Sequence, residues 1–150
     1  MPEFEITFEP GYIVQFLFAI ILLIVIIFII YKVKKFLRPK DEIVDREMVK
    51  RKWQEIEQLL EQNTENSYKL AIMEADKLLD YALKAKMLPG NDLGGRLKVA
   101  CARNPKLKSV WPAHIARNKI VHDPHYIITK NTAYNAIKRF KYALNILGVL

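Results

Sequence analysis

Between Tyr12 and Tyr31 the chain is apolar at every position except Gln15. Twenty residues at 1.5 Å rise make about 30 Å of helix, the thickness of one hydrocarbon core. The two tyrosines stand at the ends, where aromatic rings prefer the membrane interface. A buried helix of a soluble domain is a poor match, because Ile20 to Ile30 is apolar on every side and leaves no face for solvent. A cleaved signal peptide also fits badly. Nothing basic precedes the run, the run exceeds a signal core, and no small-x-small site follows it. The segment 12–31 is therefore expected to be a single transmembrane helix.

Its direction is read from the flanks. Lys32, Lys34, Lys35, Arg38 and Lys40 follow the run, and no Lys or Arg precedes it. The positive-inside rule leaves residues 1–11 as a short extracytoplasmic tail and sends the rest of the chain to the cytoplasm. Tyr12, Tyr31, Lys32, Lys34 and Lys35 are the expected anchor residues, with the bilayer and its anionic headgroups as partner. The lone Cys101 permits no intramolecular disulfide and agrees with a reducing compartment. It reads as a small packed residue.

The net charge of +8 is unevenly distributed. Residues 53–95 hold four Lys/Arg against eight Asp/Glu, whereas 96–150 hold eleven against one, Asp123. A final third so basic points to an anionic partner such as nucleic acid, nucleotide or lipid headgroup, set against a merely solvated basic face.

After Pro39 the apolar residues recur at helical spacing. A helix from Asp41 to Gln62 carries Val49, Trp53, Ile56 and Leu60 as one stripe, and residues 63–67 read as a loop. A second helix, Ser67 to Leu88, is apolar over a wide arc through Ala71, Ala75, Leu79 and Leu83. Pro89 to Asp92 makes a turn, and a third helix runs from Leu93 to Arg103. Ser109 is the expected N-cap of a fourth, which ends near His122 because Asp123 precedes Pro124. Thr129 caps a fifth, which Gly148 terminates. The expected fold is all-α: residues 32–44 as a basic juxtamembrane linker, then a cytoplasmic bundle of about five helices over 45–150.

All three histidines, His114, His122 and His125, fall within twelve residues. His114, Asn118 and His122 are spaced i, i+4, i+8 and share a helical face, with Arg117 at its edge. Arginine grips phosphate oxygens bidentately, imidazole moves protons near neutrality, and an amide orients either. The group reads as a phosphate site, with Arg96, Lys98 and Lys119 as further basic contacts beside His114. The structural alternative has His122 interacting with the negative end of its helix, worth up to about 2 kcal/mol, and Arg117 as a solvated cation. No metal is expected, since His114 and His122 are about 12 Å apart along a helix. His122, Asp123 and His125 would share an ion only if the chain folds back after Pro124. Gly94-Gly95 is too short for a phosphate loop and reads as a close approach of the third helix to a neighbour, with a backbone-amide contact to an anion as the alternative. Asp76 and Asp80, at i, i+4 beside Lys69, Lys77 and Lys84, read as salt-bridged surface.

Arg117-Asn118-Lys119-Ile120-Val121-His122 resembles the signature of the HEPN superfamily: an arginine, often followed by a polar residue such as asparagine, and a histidine four to six residues beyond. The resemblance spans roughly 45–148 in helix order and is sharp over 114–123. It implies a small all-α domain that dimerises with two motifs across a cleft, and in many members a metal-independent ribonuclease without cofactor. Arg117, Asn118 and His122 would then be the catalytic residues, His122 as general acid or base and Arg117 stabilising charge on phosphorus. Other members are non-catalytic and bind nucleotides or partner proteins. A membrane-tethered ribonuclease, a non-catalytic RNA- or nucleotide-binding module and a protein-interaction scaffold thus all stand as readings. RNA or nucleotide, a second copy and an unidentified protein are the corresponding partners.

Overall fold

The computed structural model describes residues 10–36 and 44–150. Every regular element among them is a helix, so the fold class is all-α. Two compact units divide the chain, residues 1–40 and 41–150.

The first unit contains one helix, α1, Pro10–Phe36. It runs beyond the apolar stretch at both ends. From Val14 to Val33 its mean hydropathy is 3.2 and its side chains are exposed, so the helix is long and apolar enough to cross a membrane. Tyr31 is exposed, and Lys32 Nζ lies 5.6 Å from the centroid of the Phe28 ring. The expected tail up to residue 9 and the linker over 37–43 lie outside the described residues, as do the side chains of Tyr12, Lys34 and Lys35.

The second unit is built around α3, Glu65–Ala85, which packs against α2, Arg46–Glu61, and against α4, Leu93–Arg103. α5, Trp111–His122, and α6, Lys130–Ile146, complete its neighbours. Alanines at 71, 75 and 82 on the buried face of α3 carry no long side chain and let these helices approach closely. α2 buries Val49, Trp53, Ile56 and Leu60, the stripe its spacing predicts. α6 buries Ala133, Ala136, Ile137, Phe140, Ala143 and Leu144. Phe140, Ile56, Ile72, Leu79 and Leu83 are among the largest fully buried side chains and mark where these helices meet.

Local chemistry sets the boundaries. Asp45 caps α2 by accepting from Met48 N. α3 starts earlier than the apolar pattern predicts, at Glu65, because Thr64 and Ser67 exchange side-chain-to-backbone hydrogen bonds in a capping box. The expected cap at Ser109 is overturned. Pro105–Val110 is a 3-10 helix opened by Asn104, whose side chain accepts from Lys106 N, and α5 follows directly at Trp111 with no side-chain cap. At three residues per turn Leu107 and Val110 fall on one side, and both are buried. Thr129 caps α6, and Gly148 ends it with φ +68°.

Candidate functional site

The site begins with a carboxylate in the wrong place. Asp76 lies on the buried face of α3 and is 3% exposed. It is not the salt-bridged surface residue that its spacing from Asp80 suggests. A charge in such surroundings requires partners, and α5 supplies them. His114, itself buried, places Nδ1 2.8 Å from Asp76 Oδ1. Arg117 Nε lies 3.1 Å from Asp76 Oδ2. The Nε–H is not directed at that oxygen, and no described residue accepts it.

Donor and acceptor chemistry fixes how the group is wired. Arginine only donates, so the Asn118 oxygen must face it, and Arg117 Nη1 donates to Asn118 Oδ1 at 3.2 Å. The Asn118 amide nitrogen then points to His114 Nε2, at 3.3 Å. That ring nitrogen must accept, which puts the imidazole proton on Nδ1, where it donates to Asp76. Asp76, His114, Asn118 and Arg117 form a closed ring between α3 and α5. Trp111 covers it edge-on, with its ring centroid 5.9 Å from that of His114.

Outside this ring opens a cleft of about 750 Å³. His114, Arg117, Asn118 and His122 line it from α5, Asp76, Lys77, Asp80 and Lys84 from α3, and Lys98 from α4. Asn91 and Asp92 before α4, with Leu93, Gly94 and Gly95 of its first turn, form the remaining wall. Asp92 caps α4 by accepting from Gly95 N at 2.7 Å. The glycine pair meets the preceding turn: a Cβ on Gly95 would lie 3.4 Å from Gly90 Cα. His122 is exposed, one residue before the C-cap of α5.

The expected phosphate contacts therefore separate. Lys98 is exposed and lines the cleft. Arg96 lines it too but is 6% exposed, with Nε and Nη2 on Asp80 and Nη1 on the Gly90 carbonyl, so it braces the wall. His114 is turned inward as a ring member. Lys119 is not among the lining residues; its ammonium sits 5.5 Å from the centroid of the Tyr126 ring. His125 is exposed and lies outside the cleft. Among the described residues no group of three His, Cys, Asp or Glu is placed to hold a metal ion.

Sequence reasoning missed Asp76. Its signal was the row Ile72, Asp76, Leu79, Leu83 at i, i+4, i+7, i+11, where one carboxylate interrupts an otherwise buried apolar stripe. No protein-family model, no curated protein and no solved structure matches this chain.

Proposed function

We propose that residues 45–150 form a HEPN-like domain held at the cytoplasmic face of a membrane by α1, and that its cleft cleaves RNA without a metal ion. The observation carrying this reading is the orientation of Arg117. Nε lies beside Asp76 Oδ2 as an ion contact and Nη1 donates to Asn118, which leaves Nη2 without a partner among the described residues, in a cleft that His122 also lines. A guanidinium so braced, with an exposed imidazole five residues further along α5, suits a phosphodiester.

In the proposed reaction the 2′-hydroxyl of RNA attacks the adjacent phosphorus. His122 of one subunit takes the hydroxyl proton and His122 of a second protonates the departing 5′-oxygen. Arg117 stabilises the charge that builds on the phosphoryl oxygens. The product is a 2′,3′-cyclic phosphate, so DNA is inert. Asn118 and His114 act through Arg117, by fixing it, and do not touch the reacting atoms. The exposed apolar side chains of Ile115 and Val121 on α5 support a contact between two copies beside the cleft.

A second reading is favoured by the inward commitment of the same arginine: a non-catalytic module that binds RNA or nucleotide phosphate. One comparison separates the two. Full-length protein in neutral detergent is incubated with labelled RNA in EDTA, alongside His122→Ala and Arg117→Ala. Cleavage lost in both variants, with RNA binding retained in His122→Ala, supports the ribonuclease. Binding without cleavage in the wild type supports the module.

A further inference from the structure

Unused positive charge lies on the far side of α6. No Asp or Glu follows Asp123, so α6 carries cations alone. Its outward half presents Lys130, Lys138 and Arg139, none of which is ion-paired among the described residues, whereas Lys141 is engaged by Glu57 at 2.7 Å. Arg139 Nη1 donates to the Ser109 carbonyl at 2.8 Å, a bond to a neutral group that leaves its charge intact. That bond seats the 3-10 helix beside α6, where Lys106 and Lys108 are exposed and extend the basic strip.

Aromatic rings interleave with these cations. Tyr134 and Tyr142 are 41% and 47% exposed. Eight residues apart, they stand about 12 Å from each other along the helix axis and about 80° apart around it. Asn135 lies between them and Asn131 before Tyr134, both exposed and uncharged. No aliphatic side chain of α6 is exposed, because Ile137, Phe140 and Leu144 all point into the core. A helix that inserts into lipid needs an apolar wedge on its outer face, and this one has none. Cations that track phosphates and rings on which bases stack are instead the chemistry of single-stranded nucleic-acid grooves.

We infer that the outward face of α6, with the adjoining 3-10 helix, binds single-stranded nucleic acid, phosphates on Lys130, Lys138 and Arg139 and a base on Tyr142, while Tyr134 holds the Lys130 ammonium 5.6 Å from its ring centroid. The surface is separate from the cleft and independent of its chemistry. It reads backbone and stacking, so DNA and RNA both bind.

A fluorescent oligothymidylate tests this, because DNA lacks the 2′-hydroxyl that the cleft reaction requires. Its affinity for the full-length protein in neutral detergent is measured by anisotropy over a range of salt. Lys130→Ala with Lys138→Ala is expected to make the slope of log affinity against log salt shallower by about 1.4, at roughly 0.7 per phosphate contact. Tyr142→Ala weakens binding by about fivefold or more, the loss of one stacked base. Lys52→Ala, which removes an exposed cation of α2 paired with Glu55 and belonging to neither surface, binds as the wild type. The 2′-deoxy strand keeps this result distinct from any failure of the cleft reaction. The basic residues after α1 are common to all variants and cancel. Unchanged slope and affinity in the α6 variants overturn the inference, as does an equal loss in Lys52→Ala. Binding to phosphatidylserine vesicles through the same lysines, with none to the oligonucleotide, overturns it in favour of a membrane surface.

Discussion

Asp76→Asn keeps the shape of the side chain and removes its charge. The amide can still accept from His114, but its NH2 group then stands where a carboxylate oxygen faced the Arg117 guanidinium, and the ion contact is lost. Breaking a buried ionic group from one side costs about 3–5 kcal/mol. A fall of that size in unfolding free energy is expected from the urea midpoint at unchanged m value, and a fall below about 1 kcal/mol would sink the ring as a structural unit. Arg117, Asn118 and His122 were legible from spacing along one helix. Asp76 was not, because its partners lie 38 and 41 residues away in α5 and only packing brings them together. A second carboxylate gives a pH prediction. Lys141 donates to Glu57, as does Trp53 Nε1, and these bonds hold the carboxyl below its ordinary value of 4.5 against the opposing pull of burial. A folded-state pKa that is lowered contributes stability above the unfolded value and loses it as pH falls through the folded one. Glu57→Gln should therefore destabilise by under about 1 kcal/mol at neutral pH, since the pair is half exposed. Urea midpoints of the two proteins should converge on acidification. A gap that persists in acid would show that the glutamine disturbs packing instead.

At the scale of elements, the wall of the cleft depends on one turn. Gly90 has φ +157°, and a Cβ there would lie 2.8 Å from the Gly95 carbonyl carbon and closer still to Arg96 N. Both neighbours are backbone and cannot rotate away. Its own carbonyl accepts from Arg96, which also holds Asp80. Gly90→Ala is therefore expected to push the turn off α4 and cost about 1–3 kcal/mol, lowering Tm by at least about 4 °C. Tryptophan fluorescence follows the transition, with Trp111 beside the cleft, and an unchanged Tm would show that the turn yields freely. The helices themselves were legible in the sequence, since α4 and the stripes of α2 and α6 follow from periodicity and capping. The 3-10 helix was not, because over six residues a period of 3.0 and one of 3.6 differ by little more than one position. Asn104 as cap and Pro105 behind it were the available clues.

For the whole molecule, the sequence carries two messages of unequal force. The apolar run is unmistakable in composition and forms one long exposed helix. The sign of its flanks leads to a prediction about topology. A cysteine at Thr7 should react with an impermeant maleimide on intact cells and one at Asn63 should not, while native Cys101 is buried and gives no background. Labelling of Asn63→Cys alone would place the helical domain outside and remove its access to cellular RNA. The proposed reaction in the cleft was less legible, because a six-residue motif names residue types but not the direction in which a guanidinium faces. End-group analysis of RNA tests that claim most directly. RNA incubated with the full-length protein in EDTA should acquire 2′,3′-cyclic phosphate ends, absent with His122→Ala and with Arg117→Ala and absent from an all-2′-deoxy strand. Intact RNA, or cyclic ends at wild-type yield from His122→Ala, would contradict it.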